Sequence, residues 1–388
     1  MNVTITDLTC RSYPYDIHLA RSLRRHGWKG EFKITGCLPE QAGKEYECFN
    51  DGLVDRAGRM SVQNWKVRRL LKAGEYVINT IRLLWEMRGN PPVVLHRQWL
   101  PLAEVLPVFE EWVFRQAQKR GARVVLTVHD VLPHDTGRKH FKTYKRLYPL
   151  FDALICHTEA AKAQLIDEFG ITPDKIWVIP HGPLNGMVER SKEDARRHLG
   201  LSDDVPIALF FGRIRPYKGL QFLVRSWKRV RESVPDARLI IAGSGTDEHV
   251  APVEKAIREC DLEGEIDSRF YFVPDEELDQ LIQAADVLVY PYRRITQSGA
   301  LLKGLGVGKP VVSTRVGGLE EVIDDGKTGL LVNYGDEQDL ARQIVRLFEV
   351  PSLGSQLGEA AQHVMETKYS WEAIAEQTLQ CYSAVSGC

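Results

Sequence analysis

Residues 207–231 read IALFF, GRIRPYKG, LQFLVRSWKRVR, and this stretch decides the fold. Ile207 to Phe211 is an apolar run of strand length. Gly212 interrupts it, and Leu220 to Arg231 carries a helical pattern. A strand, a glycine-bearing turn and a helix form the repeating unit of parallel sheets joined by crossover helices. The same unit recurs on both sides. Downstream, strands are expected at Leu239 to Ala242, Phe270 to Val273, Val287 to Tyr290, Val311 to Ser313 and Leu330 to Val332, with a helix over Glu277 to Ala284. Upstream, they are expected at Val3 to Thr6, Val93 to His96, Val124 to Val128, Ala153 to Cys156 and Ile176 to Ile179. Ile17, Ala20 and Leu23 make an apolar stripe that Gly27 stops, an ordinary surface helix.

At 388 residues the chain exceeds one ordinary α/β core and is expected to hold two. Pro180, Gly182, Pro183 and Gly186 break the rhythm, so the linker is placed in Ile179 to Met187. The expected architecture is α/β: two Rossmann-like domains, 1–182 and 187–369, with parallel sheets facing a central cleft. Residues 370–388 read as a helix, chiefly Ser370 to Val385, able to pack back on either domain.

With 51 Lys and Arg against 52 Asp and Glu and a net charge of −1, nothing global argues for nucleic acid. The seven cysteines are scattered and lack C-x-x-C pairing, which suits reduced, structural thiols. The N-terminus has no basic start followed by an apolar run, and no stretch of about eighteen apolar residues occurs. A cytoplasmic protein is therefore expected.

Ligands of open parallel sheets bind beyond the carboxyl ends of the strands. Three such ends carry chemistry. At Gly212 to Gly219 the glycine admits a ligand to the backbone, while Arg213 and Lys218 offer a fork and a point charge suited to a diphosphate. A solvated basic turn is the alternative. At Thr296, Gln297, Ser298, Gly299, Ala300 and Leu301 a helix starts after a strand, making an anion site or merely an N-cap. In Val128-His129-Asp130 an imidazole leaves a strand end, either to steer a ligand or to satisfy loop backbone. The sequence has no Asp-x-Asp pair, no H-E-x-x-H and no Cys/His cluster with metal-ligand spacing. No metal and no cofactor are expected, and charge on a departing diphosphate would fall to Arg213, Lys218 and the helix start.

These segments resemble the family-4 retaining glycosyltransferases of the GT-B fold, from about Val93 onward. FFGRIRPYKGLQFLVRSW (210–227) is similar to that family's strand, phosphate-binding cations and helix, and IAGSG (241–245) to its next strand and turn. DVLVYPYRRITQSGALLKGLGVGKPVVSTRVGGLEEVIDDGKTGLLV (286–332) is similar to its donor-site signature. VVLTVHD (124–130) and ICHTEAAKAQLIDEFGITPDKIWVIPHG (155–182) resemble its cleft histidine segment and interdomain approach.

The resemblance implies that Arg213 and Lys218 grip the donor diphosphate, with Gly212 beside them. It also implies that His129 contacts the transferred sugar and that Ser298 to Leu301 cradle phosphate through backbone amides. Two departures fall on the site. The family usually has two glutamates eight positions apart; here those positions are Ile295 and Lys303, so Lys303 would meet phosphate or a ribose oxygen, or lie at the surface. The family's Gly-Gly turn is replaced by Thr9 to Tyr15, where Tyr13 and Tyr15 are expected near acceptor or sugar. Phe272, Val273 and Pro274 are expected at the base.

The implied activity is a metal-independent retaining hexosyl transfer from a nucleotide sugar, a UDP-sugar by family custom. The acceptor would be a saccharide or lipid-linked saccharide, in bacterial exopolysaccharide or glycoconjugate synthesis. An epimerase or phosphorylase on the same fold and a non-catalytic nucleotide-sugar binder remain as alternatives. Lys66, Arg68, Arg69 and Lys72 beside Trp65, Leu70 and Leu71 form either a solvated helix face or a peripheral membrane contact.

Overall fold

The computed structural model describes residues 2–9, 11–34, 53–54, 65–133, 137–184 and 191–387, with backbone alone at Tyr13, Trp65 and Lys66. Contacts divide the chain into an N-terminal unit, Met1–His181 with Trp371–Cys388, and a C-terminal unit, Gly182–Ser370.

The N-terminal unit runs β1 (Val3–Asp7), α1 (Tyr13–Arg25), β2 (Glu31–Ile34), α2 (Trp65–Glu86), β3 (Val94–Arg97), α3 (Pro107–Lys119), β4 (Arg123–Val128), α4 (Phe141–Leu147), β5 (Ala153–Cys156), α5 (Glu159–Asp167) and β6 (Ile176–Val178). All strands are parallel, in the order β2-β1-β3-β4-β5-β6. The chain therefore reverses direction across the sheet between β1 and β3. Right-handed crossovers put α2 to α5 on one face, and α1 on the other. There α1 packs on the C-terminal helix Trp371–Ser386. β2 went unread in the sequence because its four residues alternate charge and apolar over too short a run.

The C-terminal unit runs α6 (Lys192–Leu199), β7 (Ile207–Phe211), α7 (Leu220–Ser233), β8 (Arg238–Ala242), α8 (Asp247–Glu259), β9 (Ile266–Arg269), α9 (Asp275–Ala284), β10 (Val287–Tyr290), α10 (Gly299–Gly306), β11 (Val311–Thr314), α11 (Leu319–Val322), β12 (Leu330–Val332), α12 (Glu337–Glu349) and α13 (Pro351–Thr367). Its parallel sheet has the order β12-β11-β10-β7-β8-β9, so the reversal falls between β7 and β10. β7 is wholly buried, and α7 lays Phe222, Leu223 and Trp227 into the same core. Each such large side chain contributes about 1.5 to 3 kcal/mol.

One expected strand is displaced. Phe270 to Val273 is not a strand: β9 ends at Arg269, whose carbonyl accepts from Tyr271 N at 2.9 Å and turns the chain. β9 is an edge strand, so its polar sequence Ile-Asp-Ser-Arg suits solvent. The aromatic run after it projects outward, with Tyr271 and Phe272 exposed.

Candidate active site

The β7–β10 reversal in the C-terminal unit is where a doubly wound sheet opens a crevice, and both loops singled out in the sequence leave its two strands. After β7, Gly212 takes φ 129°, a backbone only glycine adopts freely, and its amide donates to Ala242 O at 3.0 Å. Gly219 has φ 71° and caps the start of α7. A Cβ there would meet Pro291 O at 1.9 Å, so the loop closes against the exit of β10 only with glycine.

Between these glycines stand the two cations. Arg213 is exposed and meets no hydrogen-bond or ion-pair partner among the described residues. Lys218 is only 7% exposed, with Nζ 3.8 Å above the Tyr292 ring centroid and 5.3 Å from that of Tyr217. Neither ring is a counter-ion, and burial pulls the ammonium down to about 8.

After β10, Ser298 caps α10, its hydroxyl accepting from Leu301 N at 3.3 Å and lying 3.1 Å from Tyr292 Oη. Tyr292 thus links the Lys218 ammonium to the helix start. Gly299 has no side chain where a Cβ would touch Leu184 at 3.0 Å, and Ala300 O accepts from Tyr290 Oη at 2.8 Å. Both side-chain polar atoms of Gln297 are shielded from solvent and without a partner among the described residues, while Thr296 is half-buried.

The two positions where the family resemblance led to an expectation of glutamate are otherwise engaged. Ile295 is buried in the core. Lys303 is also 7% exposed, which overturns a surface lysine, and its Nζ lies 2.7 Å from Asp279 Oδ1 on α9, though not aligned as a hydrogen bond. Val273 and Pro274 stand just past β9, Val273 half-buried and Pro274 exposed as the cap of α9.

The N-terminal unit builds its carboxyl edge from rings. His129 follows β4 with Nε2 3.1 Å from Gln98 Oε1 and Nδ1 3.2 Å from His157 Nε2. Trp99 stacks on it at 4.7 Å and Tyr15 meets it edge-on at 5.0 Å. His157 Nδ1 lies 2.9 Å from Ile179 O, a carbonyl that only accepts, so this nitrogen carries the proton. Burial holds His157 down to about 4 and His129 well below the usual range, so both rings are neutral near pH 7. His157 Nε2 is then bare, and His129 must donate from Nδ1, leaving its own Nε2 bare. Gln98 satisfies that atom by turning its NH₂ toward it, an orientation that also gives the otherwise partnerless Gln98 Nε2 an acceptor.

The turn after β1 is organised by a carboxylate. Asp7 accepts from Thr9 N and Oγ1 (3.2 Å each), Arg11 N (2.7 Å) and Ser12 N (3.2 Å). Ser12 Oγ reaches Asp16 and accepts from Trp99 Nε1 at 2.9 Å. Burial, then the charge of Asp7, raises Asp16 far above the carboxylate range. Tyr15 is buried beneath this turn, packed on His157, His181 and Trp371, and burial raises its hydroxyl as well. The Tyr13 side chain lies outside the described residues.

Asp7, Gln98, Trp99, His157 and His181 were not singled out in the sequence, although each ends or closely follows a strand. The rule that found His129 covers all five.

The description "Glycosyltransferase Family 4" matches residues 17–182 and "Glycosyl transferases group 1" matches 205–349. The chain belongs to the family-4, group 1 glycosyltransferases. It is 31% identical over 242 residues to the D-inositol 3-phosphate glycosyltransferase of Corynebacterium aurimucosum, an alignment spanning 60% of this chain and 56% of that protein. The match thus covers little more than half of the curated relative. Among solved structures, sucrose-phosphate synthase from Thermosynechococcus elongatus superposes with a TM-score of 0.74 at 20% identity, over 100% of this chain and 99% of the other. Anabaena Alr3699/HepE, solved in complex with UDP-glucose, gives 0.71 at 15% identity over 99% and 100%. The fold of this glycosyltransferase family member is GT-B, with one Rossmann-like sheet in each unit.

Proposed function

We propose that the protein transfers a hexosyl group from a nucleoside diphosphate sugar, a UDP-sugar first among them, to a saccharide or lipid-linked saccharide acceptor with retention at the anomeric carbon. The observation that carries this reading is Lys218, a buried ammonium with no carboxylate partner among the described residues, set between a glycine turn and a capped helix start. A buried cation is stable in such a place when the ligand brings the counter-charge.

Lys218, Arg213 and the amides from Ser298 to Leu301 would take up the charge that grows on the β-phosphate as the glycosidic bond stretches. The β-phosphate oxygen would accept the proton of the attacking acceptor hydroxyl on the leaving-group face, so no side-chain base is required. This chemistry needs no metal. The setting we favour is the cytoplasmic side of exopolysaccharide or glycoconjugate synthesis, at or near a membrane; among the described residues no helix is long and apolar enough to cross one.

A second reading, nucleotide-sugar binding without transfer, is favoured by Ile295 and by the pairing of Lys303 with Asp279. One experiment separates them. Thermal unfolding is followed with UDP, GDP, ADP and dTDP, each with Mg²⁺ or EDTA, and sugar release is then measured from the sugar nucleotide of the stabilising base. We expect stabilisation by UDP, unaffected by EDTA, loss of it in Lys218→Ala, and sugar release. Stabilisation without release establishes the second reading; no response to any nucleotide defeats both.

A further inference from the structure

We propose that Arg97, Tyr76 and Glu110 are positioning residues for His129: together they clamp both ends of the loop that carries Gln98 and Trp99. The consequence for transfer rests on the reading that His129 meets the donor sugar; the clamp itself does not.

β3 is an interior strand, lying between β1 and β4, and strands covered on both faces are ordinarily apolar throughout. Its last residue is instead Arg97, which is 1% exposed. A guanidinium keeps its charge, so a buried one needs compensation within the unit. Its Nη1 donates to Thr6 Oγ1 on β1 at 3.2 Å, its Nη2 donates to Tyr76 Oη on α2, and Cζ lies 5.3 Å from the Tyr76 ring centroid. The counter-charge is one hydroxyl further on. Tyr76 Oη lies 2.8 Å from Oε2 and 3.0 Å from Oε1 of Glu110 on α3, and both residues are wholly buried. Burial raises the Tyr76 phenol well above its ordinary range. It therefore keeps its proton, donates it to Glu110 and accepts from Arg97.

The remaining bond shows what this network holds. Glu110 Oε1 accepts from Leu102 N at 3.0 Å. The loop 98–102 is thus fixed where it leaves β3, by Arg97 and by Gln98 N donating to Thr6 O at 3.0 Å, and again where it ends, by Glu110. Between the two fixed points stand the side chains that hold His129, Gln98 at Nε2 and Trp99 against the ring face. A displacement of about 0.5 Å would carry the Gln98 contact beyond hydrogen-bonding distance. Stability alone does not account for the network. Buried charges can often be replaced by apolar groups of similar volume without loss, and Arg97 Nε is left without a partner among the described residues. What apolar side chains could not do is bond Leu102 N and fix the loop.

The test reads placement without substrate, by NMR of the full chain labelled with nitrogen-15 at His and Trp. The His129 ring nitrogens report the bond to Gln98, and hydrogen exchange of the Trp99 indole N–H reports its bond to Ser12 Oγ. Tyr76→Phe removes the hydroxyl that joins Arg97 to Glu110 and keeps the ring. We expect the two His129 nitrogens to converge toward a mixture of tautomers, and the Trp99 indole to exchange roughly tenfold faster or more. Val113→Ala, on the next turn of α3 and equally buried, lowers the melting temperature through a cavity and should leave both signals in place. Glu110→Gln keeps acceptors for Tyr76 and Leu102 N, drops the charge and should also retain them. Wild-type signals in Tyr76→Phe overturn the proposal. So does an equal change in Val113→Ala, which would make the effect one of general stability, or loss of the signals in Glu110→Gln, which would make it one of charge. In sugar release, Tyr76→Phe should lower kcat several-fold with UDP affinity unchanged, since Arg213 and Lys218 belong to the other unit. If the His129 signals move and kcat does not, the clamp stands and the assignment of His129 to the sugar falls.

Discussion

Lys218 and Lys303 sit in the same unit at the same 7% exposure, Lys218 in the turn after β7 and Lys303 on α10 after the adjacent strand β10, and their surroundings differ. Lys303 has a carboxylate at 2.7 Å, whereas Lys218 has the faces of two tyrosine rings. A charge withdrawn from water needs compensation, and a carboxylate supplies it within the protein. Ring quadrupoles compensate only in part, which is why Lys218 is pulled down to about 8. The contrast separates a cation used to hold α10 on α9 from one left for something that arrives.

The largest effect is expected where compensation is removed. Lys303→Ala leaves Asp279 buried without a counter-charge and should cost on the order of 3 to 5 kcal/mol in unfolding free energy. Lys303→Met with Asp279→Leu removes both charges and should recover most of that loss. If Lys303→Ala left stability unchanged but weakened nucleotide binding, Lys303 would join Lys218 as a ligand-facing cation and the contrast would fail.

Lys218 gives the second prediction, through pH. Below about pH 8 the free protein already carries the ammonium, so a diphosphate binds without taking up a proton. Above it the ligand must restore the charge, and affinity should fall by up to about tenfold per pH unit. The free protein has the opposite dependence: Lys218 binds fewer protons folded than unfolded between about pH 8 and its ordinary value, so its contribution to stability rises with pH there. Titrating UDP affinity by calorimetry from pH 7 to 9.5 tests this, with Lys218→Arg, which stays charged, as the flat control. A flat wild-type profile would mean that Lys218 does not face the diphosphate.

How much of this was legible in the sequence follows from the same distinction. The strand, glycine turn and helix at 207–231 depend on local pattern, and Ile207–Phe211 stands where it was read. β9 was misplaced because Phe270 to Val273 has the side chains of a strand, while the polar edge strand before it lacks them. Lys303 illustrates the limit. Its role depends on Asp279, 24 positions away on another helix, and no spacing along the chain announces that pair. His129 was legible as a strand-end residue, but the Gln98 and His157 that fix its tautomer come from two other strand ends.

That imidazole pair carries the smallest prediction, and it extends the comparison to the other unit, where the polar groups compensate one another. His157 is held at about 4 by burial, against the hydrogen bond to Ile179 O, which favours its charged form. Its folded value lies below its unfolded one, so its contribution to stability is complete above about pH 6.5 and is lost as pH falls toward 4. His157→Gln removes this titration and keeps a side chain able to bond Ile179 O and His129. It should flatten the acid side of the stability curve by roughly 1 to 3 kcal/mol near pH 4.5 while leaving the neutral value nearly unchanged. Nitrogen-15 NMR of the wild type should show His129 protonated at Nδ1 and bare at Nε2. The opposite tautomer would mean that His157 donates to His129 and that Ile179 O is left unpaired, and the N-terminal edge would then hold an uncompensated group of its own.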